Sequence, residues 1–95
     1  MMTELKIGDR VIYNGAAAFD GYDGAINVGD IGVVRNIGVV RNIGEAGFPW
    51  PYFVEFGKGG LPAGTAFTGA DGEEFDCKGL APMAQGAEIN LYEGE

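Results

Sequence analysis

The stretch Ile31-Gly32-Val33-Val34-Arg35-Asn36 is followed directly by Ile37-Gly38-Val39-Val40-Arg41-Asn42, and then by Ile43-Gly44. The repeated unit is rich in β-branched residues, which favour β-strands. Side chains alternate between the two faces of a strand, so an even shift leaves each side chain on the same face. Gly32, Val34 and Asn36 therefore share one face with their second copies. Either copy can pair with the same neighbouring strand.

The length of the duplication limits what it can form. As one straight strand, residues 31–43 would span about 43 Å, whereas a domain of this size is about 30 Å across. Three arrangements stay open. They are a hairpin bent at Arg35-Asn36-Ile37-Gly38, a bulged strand that overhangs the domain, and an extended strand that pairs with a second molecule.

The second copy has two alternative explanations. In the first, slippage duplicated a coding segment and the extra copy loops out of the fold. In the second, a long β edge is exchanged between two chains of a homodimer. Self-association would then use Ile37, Val39, Val40 and Arg41.

The regions around the duplication also predict short strands and glycine-rich turns, and none has a sustained helical period. The first predicted strand covers residues 6–13 and lies behind a Gly8-Asp9 turn. A second begins at residue 31, after a Gly29-Asp30 turn. Further strands are predicted at 52–56, 66–68 and 74–77. Loops or turns are predicted at 14–29, 57–60, 61–72 and 79–83, and a last short strand or tail includes Ile89 and Leu91. The sequence therefore predicts an all-β fold.

The composition predicts a single domain over residues 1–95, with its core at about 6–83 and a C-terminal tail at 84–95. Eighteen glycines suit tight turns, and a net charge of −8 disfavours binding to a nucleic-acid backbone. The chain has no histidine, which excludes histidine-based catalysis. It has one cysteine, Cys77, which excludes an intramolecular disulfide. No apolar stretch is long enough to be the core of a signal peptide or a membrane-spanning helix, so we expect a cytoplasmic protein.

Four segments together resemble small SH3-like barrels: Lys6-Ile7-Gly8-Asp9-Arg10-Val11, Gly29-Asp30-Ile31-Gly32-Val33-Val34, Tyr52-Phe53-Val54-Glu55-Phe56 and Cys77-Lys78-Gly79-Leu80-Ala81-Pro82. The pattern is similar to that of small domains found in short phage-encoded proteins, in KOW modules, and in the barrel subunits of photosystem I and of ferredoxin–thioredoxin reductase. The resemblance implies a small SH3-like barrel of about five antiparallel strands with long loops, and accessory functions without catalysis. In such a barrel Gly29 and Gly32 permit a sharp turn and a close strand crossing. The interior would hold Val11, Val34, Val54, Phe56 and Leu80.

Aromatic residues in two of the connections are the candidate binding site. In peptide-binding SH3 domains, the loop after the first strand and a tryptophan before the third form a groove for proline-rich peptides. By resemblance, partner binding would use Phe19, Tyr22, Trp50 and Tyr52, although the family's alanine–leucine–tyrosine–aspartate–tyrosine run is absent. Alternatively, these rings simply cover the open end of the barrel.

The remaining motifs predict no catalytic, metal or cofactor site. The spacing of Asp20 and Asp23 is not that of a calcium loop. The Gly57–Gly60 segment lacks the pattern of a phosphate loop and is predicted to be a hairpin turn. The acidic cluster of Asp71, Glu73, Glu74 and Asp76 is predicted to be a solvated turn. Cys77 has no histidine to activate it, which favours a buried structural role. The sequence thus predicts a non-enzymatic, phage-type interaction protein that binds a protein partner or itself. An acidic inhibitor of a host nucleic-acid enzyme and a peptide-binding module are the alternatives.

Overall fold

The computed structural model describes residues 5–15, 19–21, 24–38, 52–69, 71–86 and 88–93. Over these residues the protein has β-strands and no helix, which confirms the all-β prediction. The strands are β1 (Arg10–Tyr13), β2 (Phe19–Gly21), β3 (Gly24–Ile26), β4 (Ile31–Ile37), β5 (Tyr52–Glu55), β6 (Ala66–Thr68), β7 (Glu74–Asp76), β8 (Leu80–Met83) and β9 (Ile89–Leu91).

One antiparallel sheet of five strands, in the order β8-β5-β4-β1-β9, organises the fold. The hairpins β2–β3 and β6–β7 each form a separate two-stranded sheet. Over the described residues, β8 and β9 are the two edges of the large sheet and do not pair with each other as strands. The predicted strands at 52–56, 66–68 and 74–77 correspond to β5, β6 and β7.

Several sequence-based assignments were wrong at segments rich in glycine and proline. The predicted loop at residues 14–29 contains β2 and β3, and fully buried Ile26 anchors this hairpin to the core. The predicted turn at 79–83 is mostly strand β8. Its Pro82 sits at the outer edge of the sheet, where a missing N–H breaks no ladder bond. The Gly57–Gly60 segment is not a hairpin turn, because it leads to Leu61, which bridges Lys78 in parallel.

The core also extends beyond the range that the sequence indicated. Leu5 is buried ahead of residue 6, and Ile89 is fully buried within the region expected to be a tail. Strand β9 pairs with β1, with Ile89 opposite Tyr13 and Leu91 opposite Val11. The C-terminal segment is therefore part of the large sheet.

Strand β4 contains the first copy of the repeat and lies between β1 and β5. Its ladder with β5 continues to the pair Ile37–Tyr52, which excludes a hairpin bend at residues 35–38, one of the three arrangements that the sequence left open. A register shift between Val34 and Asn36 forms a β-bulge at Arg35. Gly32 and Val34 are buried on the inner face as predicted. The prediction that Asn36 shares this face is wrong, because beyond the bulge Ile37 packs against the same core as Val34, whereas Asn36 pairs with Phe53 of the opposite face.

Two hydrophobic clusters lie on opposite faces of the large sheet. The main cluster is formed by the inner face and the β2–β3 hairpin, and its buried members are Leu5, Val11, Tyr13, Ile26, Val34, Tyr52, Val54, Ala81, Met83 and Ile89. Of the predicted interior residues, Val11, Val34 and Val54 belong to it and Phe56 packs against it. Leu80 belongs instead to the second cluster, with Phe53 and Cys77 under the β6–β7 hairpin.

Candidate functional site

Strands β1 and β4 are each preceded by the same type of turn, at residues 6–9 and 27–30. In the first turn, the Asp9 N–H donates to the Lys6 carbonyl at 3.0 Å, and the Lys6 N–H donates to Asp9 Oδ2 at 2.8 Å. In the second, Asp30 and Asn27 make the same two bonds at 2.9 and 2.8 Å. The third turn residue, Gly8 or Gly29, has a φ of 97° or 100°, which glycine adopts readily.

The two turns are related by an approximate two-fold axis through the β1–β4 ladder. The Gly8 N–H donates to the Val34 carbonyl and the Gly29 N–H to the Tyr13 carbonyl, both at 2.8 Å. In return, the Val34 N–H donates to the Asp9 carbonyl and the Tyr13 N–H to the Asp30 carbonyl. Both Gly-Asp turns were predicted from the sequence. Their equivalence was not recognised, although Lys6-Ile7-Gly8-Asp9 and Asn27-Val28-Gly29-Asp30 share one pattern.

Apolar side chains are exposed along this ladder. We call Ile7, Ile12, Val28, Ile31 and Val33 the ladder surface. Ile12 lies directly opposite Ile31, and Ile12 and Val33 are half-buried. Among the described residues, the most exposed large hydrophobic side chains are Ile7, Val28 and Ile31, at 62, 59 and 36%. All three belong to this ladder or its turns.

Charged side chains flank the ladder surface. The guanidinium of Arg10, opposite Val33, lies 5.7 Å from the centre of the Tyr92 ring. At the bulge, Arg35 Nε donates to Glu55 Oε1 at 2.6 Å. Both groups of this ion pair are about half exposed, so its contribution to stability is small.

A second ion pair connects the turn at 27–30 to the loop after β5. Lys58 Nζ lies 2.8 Å from Asp30 Oδ2, and this hydrogen bond, together with that from the Asn27 N–H, lowers the pKa of Asp30. Glu55, Gly57, Lys58, Gly59 and Gly79 line an adjacent open cleft of about 380 Å³. Lys58 and Glu55 are each held in an ion pair, so both charged groups of the cleft already have partners.

The structure does not assemble the predicted aromatic site from its described residues. Tyr52 is only 8% exposed and packs in the main cluster, with its hydroxyl 3.5 Å from Gln85 Oε1. Phe19 lies in β2 opposite Ile26. Tyr22 and Trp50 are outside the described residues. A partner surface made of aromatic rings would therefore depend on Phe19, Tyr22 and Trp50.

The predicted self-association residues are only partly described. Ile37 is half-buried against the main cluster and pairs with Tyr52 in the ladder. Val39, Val40 and Arg41 are outside the described residues. Because β4 is flanked on both sides, residues 31–37 provide no free strand edge for a second chain.

The two edges of the large sheet offer few free backbone groups for strand addition. At β8, the Leu80 carbonyl accepts from Leu61, its N–H donates to Cys77, and Pro82 has no N–H. At β9, the Ile89 N–H donates to the Ala84 carbonyl, and the Ile89 carbonyl accepts from Gly86. A partner would thus contact a face or a loop of this sheet more readily than its edges.

Exposed carboxylates are concentrated on the β6–β7 hairpin. Asp71, Glu73, Glu74 and Asp76 are all exposed, and among the described residues none of them forms an ion pair. Asp71 and Asp76 accept hydrogen bonds from the backbone N–H groups of Glu73 and Lys78, which stabilise the local turns. The cluster predicted as a solvated turn is therefore the end and second strand of a hairpin.

Cys77 is fully buried beneath the β6–β7 hairpin, as the sequence predicted. Burial raises the pKa of its thiol to about 11, and the nearby Asp76 carboxylate acts in the same direction. The thiol donates to the Phe75 carbonyl at 3.7 Å. Because the thiolate is the nucleophile, this environment suppresses reactivity.

Folding is expected to slow alkylation of Cys77 by iodoacetamide at pH 8 by about 100-fold relative to the chain in urea, from the change in thiolate fraction alone. The unfolded thiol has its ordinary pKa of 9.0, and the folded thiol has a pKa of about 11. The unfolded state therefore loses its proton first, and the free energy of unfolding decreases between these pH values. Cys77→Ala should remove the decrease that begins near pH 9, whereas the raised pKa of buried Tyr13 still lowers the free energy of unfolding above pH 10. Equal alkylation rates in the folded and unfolded chains would contradict the prediction.

Neither a membrane-spanning helix nor a metal-binding cluster is found in the part of the chain that the structure describes. No helix there is long and apolar enough to cross a membrane. No three histidine, cysteine, aspartate or glutamate side chains among those residues are placed together to hold a metal ion. Comparison of the chain with protein families, curated proteins and solved structures finds no match.

Proposed function

We propose that this chain is a non-enzymatic interaction protein that binds a protein partner through the ladder surface. The observation that supports this is the concentration of exposed Ile7, Val28 and Ile31 on one ladder and its two turns. Single exposed apolar residues are common on monomers, whereas a grouped set is typical of interaction sites. A phage-type accessory function, suggested by the sequence resemblance, belongs to the same proposal.

We also propose that the sheet is the wall of an SH3-like barrel. The order β8-β5-β4-β1-β9 supports this, because the segment at 84–88 leads from one edge strand to the other and hydrogen-bonds to Ile89. The connection after β1 then contains Phe19 and Tyr22, and the connection after β4 contains Trp50. Their places along the chain, which are similar to those of the groove residues in peptide-binding SH3 domains, support peptide binding as a second candidate function.

Self-association remains an alternative form of the proposal. A second copy of the chain would bind the face formed by the ladder surface or pair with residues beyond Gly38, because residues 31–37 have neighbours on both sides and no free strand edge. The net charge of −8 opposes the approach of two copies, and more strongly at low salt. A homodimer would therefore become stronger as salt is added.

The double variant I7D/I31D is expected to weaken partner capture by at least about tenfold, because each buried aliphatic side chain contributes roughly 1.5–3 kcal/mol. The measurement is affinity capture from an extract of the source cells, quantified by mass spectrometry, with sedimentation velocity to detect self-association. The control A63D/A66D adds the same charge at two exposed sites away from the ladder. Both variants should unfold near the wild-type temperature.

Three other outcomes would point elsewhere. Unchanged partner capture by I7D/I31D would exclude the ladder surface as the binding site. Loss of capture on Trp50→Ala alone would assign binding to the aromatic connections. Steep weakening between low and moderate ionic strength would favour charge imitation by the acidic β6–β7 hairpin, as expected for an inhibitor of a nucleic-acid enzyme.

A further inference from the structure

The position of β4 between β1 and β5 has strict side-chain requirements. At Gly32, a Cβ would lie 2.6 Å from Val54 Cγ1 and 2.9 Å from the Glu55 carbonyl oxygen, so only glycine fits without rearrangement. Val34 must be apolar because it is fully buried. At the bulge, Arg35 pairs with Glu55.

The second copy meets each of these requirements. Residues 37–44 repeat residues 31–38 one for one, so the identity covers all of β4 and the bridging Gly38. A shift by six residues would place Gly38 at the Gly32 position, Val40 at the Val34 position, and Arg41 at the Arg35 position, within reach of Glu55. We infer that either copy can fill the position of β4, so that the sheet has two registers that differ by six residues.

The turn that precedes the strand determines which register is favoured. In the observed register, Gly29 adopts a φ of 100°, and Asp30 binds the Asn27 N–H and the Lys58 ammonium. In the shifted register, Arg35 and Asn36 would take these two positions. Arginine adopts a positive φ at a cost, and a neutral asparagine cannot replace the Asp30 carboxylate as the ionic partner of Lys58.

The connections on either side can absorb the shift. The segment that leads to Tyr52 would shorten from residues 38–51 to residues 44–51, and the segment that leads into β4 would lengthen by the same amount. The cost of closing a loop depends only weakly on its length. The difference between the registers therefore lies mainly in the turn at 27–30. The shift would also remove Val28 from the ladder surface, which connects this inference to the proposed function without depending on it.

The test compares three variants: Gly32→Val in the full chain, deletion of residues 37–42, and the two changes combined. In the full chain, Gly32→Val is expected to retain a cooperative unfolding transition, because the second copy replaces the first. Hydrogen exchange of the Asn27 and Gly29 amides should then accelerate at least tenfold, since their turn no longer precedes the strand. Deletion of residues 37–42 leaves the sequence Ile-Gly-Val-Val-Arg-Asn-Ile-Gly intact, and this shortened chain should also fold.

The decisive variant combines Gly32→Val with the deletion, which removes the replacement strand. This chain is expected to lose its cooperative transition in circular dichroism. Three results would overturn the inference: unfolding of Gly32→Val in the full chain, folding of the combined variant, or failure of the deletion alone to fold. Unchanged protection of the turn at 27–30 in folded Gly32→Val would also overturn it. None of these readouts depends on a binding partner, so they are independent of the proposed function.

Discussion

Gly60→Ala is expected to lower the free energy of unfolding by about 3 kcal/mol or more. A Cβ on Gly60 would overlap the carbonyl carbon of Gly79 and lie 2.6 Å from its oxygen, and Gly60 has a φ of 152°. Both neighbouring atoms belong to the backbone, so neither can rotate away. The loop after β5 would have to separate from the start of β8, where Leu61 and Leu80 are hydrogen-bonded.

Gly64→Ala is the matched control for this substitution. Gly64 also has a positive φ, 89°, but a Cβ there would meet no atom within 4 Å. Only backbone strain remains, with an expected cost of about 1 kcal/mol. Urea unfolding followed by circular dichroism measures both variants. If the two substitutions lower stability equally, the close contact between Gly60 and Gly79 does not contribute.

Phe53→Ala is expected to cost about 3–5 kcal/mol, the range for truncating a buried phenylalanine. The Phe53 ring lies 5.1 Å from the centres of both the Phe67 and Phe75 rings. Together with Leu80, it packs the large sheet against the β6–β7 hairpin. Hydrogen exchange in β6 and β7 should accelerate more than in β1 and β4, because the hairpin loses its support first.

Met83→Ala provides the comparison from the other face of the sheet. Met83 is fully buried in the main cluster, and its truncation should cost about 2–5 kcal/mol. Exchange in the five-stranded sheet should then increase without a preferential effect on the hairpin. If both variants, or neither of them, preferentially accelerate hydrogen exchange in the β6–β7 hairpin, the two hydrophobic clusters are not energetically separate.

The strand with clear alternation was the part of the fold that the sequence predicted well. Gly32 and Val34 point inward, and Ile31 and Arg35 outward, as the period of two required. The β2–β3 hairpin was missed, since Phe19-Asp20-Gly21 and Gly24-Ala25-Ile26 are too short and glycine-rich for a recognisable pattern. Their pairing relies on the burial of Ile26 against distant parts of the chain.

The candidate site was predictable only in part, for a related reason. Tyr52, Phe53 and Val54 are all buried, so β5 lacks the polar face that would identify which aromatic ring is available to a partner. The β6–β7 hairpin covers Phe53, and the main cluster takes in Tyr52. In contrast, Ile7 and Val28 are exposed because each lies in a Gly-Asp turn, and both turns were predicted from the sequence.

The amino-acid sequence by itself determined the β-structure of the first copy of the repeat, the inward side of Gly32 and Val34, and the two Gly-Asp turns. These features depend on the alternation of strand side chains and on the backbone freedom of glycine, which act over a few residues. The tertiary structure alone decided that the first copy is the central strand, that Ile89 completes the sheet, and that the β1–β4 ladder carries the exposed aliphatic residues. Identical hexapeptides have identical local preferences, so contacts of the preceding turn with Tyr13 and Lys58 were needed to distinguish them.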